Sequence, residues 1–354
     1  MANRQTGLDM SDLHLWPAHP HPYHNELLSS WLVRTAHANG LKVQTFCNLV
    51  FGNNYEIWNR DIDRYIPEWI VTKLSEKSGI SAEKIDRTSL RRFQGILFDK
   101  VRPSGHLTWV NSLQIYHRKR VGYGLLFCPL CLAEDYEPYF RVSWRVACYT
   151  FCPKHKVILH DRCSHCGAGV AFHRQEMGNM QETAFRPLKF CWQCKTDLAC
   201  TETQPVTAWS GNTLEQWRRL LVWLEHYPVE SSQNSYRDSL KILHHFVTLL
   251  TSQRLAPKLY SYLCLKTGSQ PQKIDKSKRT AWESRELIER HHTLDLCWWL
   301  IDNYPDNLFQ AWKDGVLRYN HMLKDFDDCP DEFKKLIDVL NRNIRKELYR
   351  KTMF

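Results

Sequence analysis

Four short knuckles of metal-ligand residues constrain this chain more than anything else in it. FCPLCLAED carries Cys128 and Cys131, and FCPKHKV carries Cys152 and His155. DRCSHCGAG carries Cys163 and Cys166, and FCWQCKTDL carries Cys191 and Cys194. Two ligands separated by two residues can reach one ion, and two such knuckles facing each other close a tetrahedron with no position left for water. Taken in chain order they make one set of three cysteines and a histidine and a second set of four cysteines. An interleaved pairing would use the same eight residues. Two structural zinc ions per chain are expected, contributing folding free energy rather than chemistry.

Nine of the thirteen cysteines lie between Cys128 and Cys200. Cys148, His165 and Cys200 are near enough to compete as ligands. Cys47, Cys264, Cys297 and Cys329 stand alone in or beside apolar stretches and read as small packed hydrophobes. So many unpaired thiols fit a reducing compartment, and the first residues, MANRQTGLDMSDLHLW, lack the apolar core of a signal peptide. No apolar run approaches the ~18 residues of a membrane span. The chain is expected to stay inside the cell.

A length of 354 residues suggests two or three units, and a composition 43% hydrophobic and 24% charged is that of a folded chain rather than a disordered one. The formal net charge of +10 suits a nucleic-acid partner without specifying one. The expected organisation is an N-terminal lead over 1–19, a helix-turn-helix domain over 20–120, a tandem zinc-ribbon region over 121–204 and a helical domain over 205–354. The expected fold class is therefore mainly α with small zinc-ribbon modules.

In the first helical stretch, NELLSSWLVRTAHANG puts Leu27, Leu28, Trp31, Leu32, Thr35 and Ala36 on one face and ends at Asn39-Gly40, a pair that tolerates a left-handed cap. Val43, Phe46, Cys47, Val50 and Phe51 form a second apolar run. Helix, glycine turn and helix recur around Leu74, Gly79-Ile80, the capping Ser81, Glu83, Ile85 and Leu90. If this second pair binds DNA, Lys84, Arg87, Arg91 and Arg92 would meet phosphate or base edges. A protein-binding role, or a merely solvated face, fits the same residues.

Beyond Pro205, three segments repeat apolar residues at helical spacing, the first with Asn212 or Thr213 as its cap and Pro228 as its close. Trp217, Trp223, Trp298 and Trp299 read as core or interface anchors. Two basic runs remain: a link carrying Lys273, Lys276, Lys278 and Arg279, and a C-terminal run carrying Arg342, Arg345, Lys346, Arg350 and Lys351. Each reads as a solvated face or as a salt-sensitive, sequence-blind phosphate contact.

Pro22, Tyr23, Glu26, Leu28, Trp31, Arg34 and Gly40, followed by Cys128, Pro129, Cys131, Trp144, Cys152, Pro153, His155, Leu159, Cys163 and Cys166, closely resemble the pattern of the TniQ/TnsD family of transposon target-selection proteins. The resemblance covers roughly residues 20–200. It implies a non-enzymatic adaptor that recruits an AAA+ transposition ATPase. On that resemblance the targeting partner is a CRISPR surveillance complex with guide RNA, on which shorter members dock as a dimer, or a chromosomal attachment site read directly as DNA, as in TnsD-like members. It also implies a bacterial, cytoplasmic and nucleoid-associated location.

Independent signs of catalysis are lacking in the sequence. No GxxxxGK[ST] loop, HExxH or HxE…CxxC pattern occurs, and Glu134-Asp135-Glu137 and Asp325-Asp327-Asp328 read as solvated turns.

Overall fold

A computed structural model describes residues 14–55, 57–113, 123–176, 185–227, 235–252, 254–274 and 281–351, the last nine and residue 235 by backbone alone. The chain forms two compact units, one of Met1–Pro205 with Trp223–Pro228, the other of Val206–Val222 with Val229–Phe354. The segments expected as helix-turn-helix and zinc-ribbon domains thus share the first unit.

The first unit begins with α1 (Leu28–Ala38), which is buried on more than one face: every residue from Leu28 to Ala36 is inside. Its buried polar groups are all answered. The Ser29 amide and hydroxyl donate to Asp63 at 2.7 and 2.8 Å, Ser30 donates to Glu26 at 3.0 Å and Thr35 to the Trp31 carbonyl at 2.8 Å. The helix ends where the Asn39 amide donates back to Thr35, and Gly40 follows at φ 68°. The apolar run after it forms α2 (Val43–Phe51), which packs on α1 through Val43, Phe46, Cys47, Val50 and Phe51. Helix α3 (Glu68–Ser78) stops at Gly79, whose φ of 71° an L side chain rarely adopts. Next comes α4 (Ala82–Asp86), where the Ser81 hydroxyl accepts from the Lys84 amide at 3.4 Å. Ile85 and Leu90 are completely buried beneath this pair.

The lead into α1 is tied to a segment far away in sequence. The Leu27 amide donates to the Phe140 carbonyl and the Val142 amide to the Asn25 carbonyl, both at 2.8 Å. Asn25 Nδ2 donates to Ser143 Oγ at 2.8 Å. Deeper still, fully buried Arg145 donates through both terminal nitrogens to Asp61, at 3.0 and 2.6 Å, and to the Asn111 carbonyl at 3.1 Å. Such charge-assisted pairs offset much of the cost of burying a guanidinium, whose Nε here has no partner.

The knuckle region holds one short helix, α5 (Pro129–Glu134), and the described residues contain isolated β-bridges rather than extended strands. Phe127 pairs with His160, Phe151 with Ile158, Arg162 with Gly169 and Phe190 with Asp197. The ribbons are therefore reduced to single rungs.

In the second unit, most of α6 (Gly211–His226) precedes α7 (Ser235–Thr251), α8 (Leu259–Thr267), α9 (Leu287–Ile301), α10 (Asp306–Lys313), α11 (Tyr319–Leu323) and α12 (Asp331–Lys351). Helix α9 is the hub, buried nearly all round and packed by α7, α8 and α10. The expected α6 cap needs correction. Ser210, ahead of Asn212, supplies the oxygen that accepts from the Thr213 amide at 3.1 Å. Pro228 lies outside the described residues. Trp217, Trp298 and Trp299 are buried, whereas Trp223 is half-buried. Among the described residues, no helix is long and apolar enough to cross a membrane.

Candidate metal centres and basic surface

Three of the four knuckles share one local turn. Backbone amides of Lys156, Gly167 and Lys195 donate to the carbonyls of Cys152, Cys163 and Cys191 at 2.8, 2.9 and 3.0 Å. Those three donors hold positive φ values of 55°, 73° and 63°. Each turn doubles back, so that the amides of Cys152, Cys163 and Cys191 donate to Val157, Ala168 and Thr196 at 2.8 Å. The fourth knuckle is built differently: Cys128 is the residue before α5, Pro129 opens the helix, and one turn on lies Cys131.

These turns gather the ligands into two groups, Cys128, Cys131, Cys152 and His155, and Cys163, Cys166, Cys191 and Cys194, each with its donor atoms all within 4.8 Å. The arrangement is sequential, not interleaved. In the first group His155 Nδ1 lies 3.4, 3.4 and 3.5 Å from the sulfurs of Cys128, Cys131 and Cys152. In the second, Cys163 and Cys194 are 3.6 Å apart and Cys166 and Cys191 3.7 Å. A tetrahedral zinc with Zn–S of about 2.3 Å requires sulfur–sulfur edges of about 3.8 Å, so both donor sets fit.

The sulfurs of each set shift one another's protonation in opposite directions: the Cys128 and Cys131 thiols hold Cys152 low. Interactions with the Cys128 and Cys152 thiols, together with burial, hold the Cys131 thiol far up. Burial pushes Cys191 up to about 12. Thiols held up in this way give up their protons only when a bound dication reverses that balance. Around the first set, His155 Nε2 is 3.0 Å from Glu134, which Lys154 also holds at 2.5 Å. A carboxylate behind a histidine ligand orients the ring.

Glu134 and Glu137 keep side-chain exposures of 51% and 45%, as a solvated segment should, whereas Asp135 is largely covered, and each of the three answers a cation. Arg141 donates twice to Asp135 at 2.9 and 2.7 Å, and Arg34 donates to Glu137 at 2.5 Å. In the other acidic run Asp328 pairs with Lys241. Cys148 is buried and Cys200 exposed, and neither they nor His165 belong to a cluster among the described residues. Cys47, Cys264 and Cys297 are buried.

The four cations chosen on the second helix pair have different surroundings. Lys84 and Arg87 are exposed, with Arg87 donating to Glu83 at 2.7 Å. Arg91 is committed to Glu68 at 2.6 Å and to the Ile66 carbonyl at 2.5 Å. Arg92, expected as a surface cation, is half-buried and its guanidinium donates to Asn25 Oδ1 at 3.1 Å, to the Glu225 carbonyl at 3.0 Å and to the Tyr227 carbonyl. Burial, with the repulsion of Arg87, brings its pKa down to about 10. Lys276, Lys278 and Arg279 lie outside the described residues, as do the side chains of Arg345, Lys346, Arg350 and Lys351. Lys273 and Arg342 are exposed.

Helical units with two four-donor clusters define a protein built around candidate structural metal centres. Residues 17–159 match the TniQ family model, so the chain carries a TniQ domain. A TniQ domain implies a role in transposon target selection. Comparison with curated proteins finds no match.

Proposed function

We propose that this protein is a target-selection adaptor of transposition, joining an RNA-guided CRISPR surveillance complex to an AAA+ ATPase and making or breaking no bond itself. The observation that carries this reading is the pair of closed centres inside the unit that holds the TniQ domain. With four protein donors around each position, the zinc ions that fit there serve as structural crosslinks, and no ligand site is left for a reacting water. The residues they hold are the ones that anchor α1. The β-bridges Phe127–His160 and Phe151–Ile158 frame the first centre, and the Phe140 and Val142 backbone beside it bonds the α1 lead.

Co-purification tests it. A tagged chain expressed with its neighbouring transposition proteins should retain the ATPase and guide RNA. The exposure of Lys84 and Arg87 favours a second reading, direct recognition of a chromosomal DNA site. Tight, site-selective binding to an attachment-site duplex in an electrophoretic assay at about physiological salt would replace the adaptor by that selector.

A further inference from the structure

The described residues of the first unit contain a cleft of about 330 Å³ whose lining includes Lys84, Arg87 and Arg92 and three histidines. It is framed by the lead into α1 (His21, Tyr23, His24), by α4 and the residues after it (Lys84, Arg87, Arg92) and by His226. This volume is within the range of small-ligand pockets, at its lower end. Glu26 also borders the cleft, but both its oxygens are taken by Arg34 at 2.8 Å and it accepts from Ser30 and from the Tyr23 amide as well. Its charge is spent on Arg34.

The cations here are poorly answered. Lys84 has no ion pair among the described residues, and Arg87 has only the exposed Glu83, an exchangeable surface pair. Arg92 Nε is buried with no hydrogen-bond partner. His24 and His226 stand with ring centres 4.8 Å apart. The groups also depress one another: burial, then His226 and Arg92, hold His24 below its ordinary range, and Arg87 adds to the burial that lowers Arg92. A concave surface that carries an unpaired lysine and an exposed, forked arginine is suited to a phosphate group.

We infer that this cleft binds a backbone phosphate of nucleic acid. Lys84 and Arg87 supply the charge at its rim. Such interactions fix position without reading sequence. The inference rests on the adaptor reading only for placing nucleic acid beside the protein; the cleft itself rests on its residues.

The test uses the full chain with its zinc, fluorescence anisotropy, and two probes: a 20-base-pair duplex of random sequence and a 20-nucleotide single-stranded RNA. Lys84→Glu/Arg87→Glu should weaken binding to at least one probe by about tenfold or more at moderate salt. It should also flatten the log–log salt dependence by roughly 0.7–0.9 for each phosphate that the variant no longer neutralises. Lys84→Gln/Arg87→Gln should show the same change in smaller measure. The probe more affected identifies the source of the phosphate, and inorganic phosphate should compete against the wild type more than against the variant. Unchanged affinity and slope in the Lys84/Arg87 variants would overturn the inference, as would an equal weakening in the control Lys334→Glu/Lys335→Glu on exposed α12 residues. Pull-down of the ATPase by the same variants reads the adaptor role separately: retained ATPase with weakened nucleic-acid binding is the expected pair of results.

Discussion

Arg34 holds Glu26 in a two-pronged grip, Nε to Oε1 and Nη2 to Oε2, each at 2.8 Å, with both side chains almost wholly buried. The guanidinium also lies 4.0 Å from the Tyr23 ring centre. A planar fork matches a carboxylate in a way an ammonium cannot. Glu26→Gln keeps the shape and removes the charge, leaving a buried guanidinium short of its partner. A loss of about 3–5 kcal/mol in urea unfolding is expected, and Arg34→Lys should also destabilise. A change below about 1 kcal/mol in both would show the pair to be incidental.

Metal content should be about two zinc ions per chain, and a value near one would break the pairing of the eight ligands. Cys128→Ser or Cys163→Ser, or chelation, should give aggregated or insoluble protein rather than a folded inactive one. Glu134→Ala is the subtler probe. With the carboxylate behind His155 gone, chelator competition should reveal about tenfold weaker retention of one ion and not of the other.

Acid should weaken the second unit through His291. Its ring is stacked on Trp217, its Nε2 is 3.2 Å from the Thr207 carbonyl, and burial brings its pKa from 6.5 down to about 4. Above pH 6.5 the ring is neutral folded or unfolded. Between 6.5 and about 4 the unfolded chain takes a proton that the folded one refuses, so stability falls as pH falls through that window. His291→Gln should lose about 2 kcal/mol less than the wild type between pH 7 and pH 4.5, read from chemical unfolding. Asp295, raised to about 6 by burial, acts with the opposite sign in both proteins and drops out of the comparison.

Gly79→Ala tests the turn between α3 and α4. The added carbon would meet only Leu15 Cδ2 at 3.6 Å, so crowding is minor and the strain is the φ of 71°. A cost of about 1 kcal/mol is expected in thermal unfolding. Ser81→Ala, which removes the hydroxyl accepting from the Lys84 amide, should cost about as much. A neutral result for both would mean that the helix pair is held by Ile85 and Leu90 alone.

The sequence discloses what depends on near neighbours. Ligand spacing is local, so the eight metal-binding candidates stand out in it, and the apolar periodicity of α1, α2 and α9 follows from residues a turn or two apart. What remains hidden is set by distant chain. Nothing near Arg92 suggests that carbonyls 133 and 135 residues away capture it, or that Glu137 is answered by Arg34 across 103 residues. Each looks like a surface charge when only its own segment is read. Ser210 escapes notice for a different reason: Asn212 and Thr213 are equally good caps, and only the backbone chooses among them.

The lead into α1 has a consequence for synthesis on the ribosome. Asn25 and Ser30 find their partners Ser143 and Phe140 118 and 110 residues later. At translation rates of about 5–20 residues per second, that interval is roughly 6–24 seconds. During it Leu27, Leu28 and Trp31 have emerged without the chain that covers them. The N-terminal third is therefore expected to need chaperones until the first cysteine knuckles follow it out of the exit tunnel, and starving the cell of zinc should lengthen that dependence.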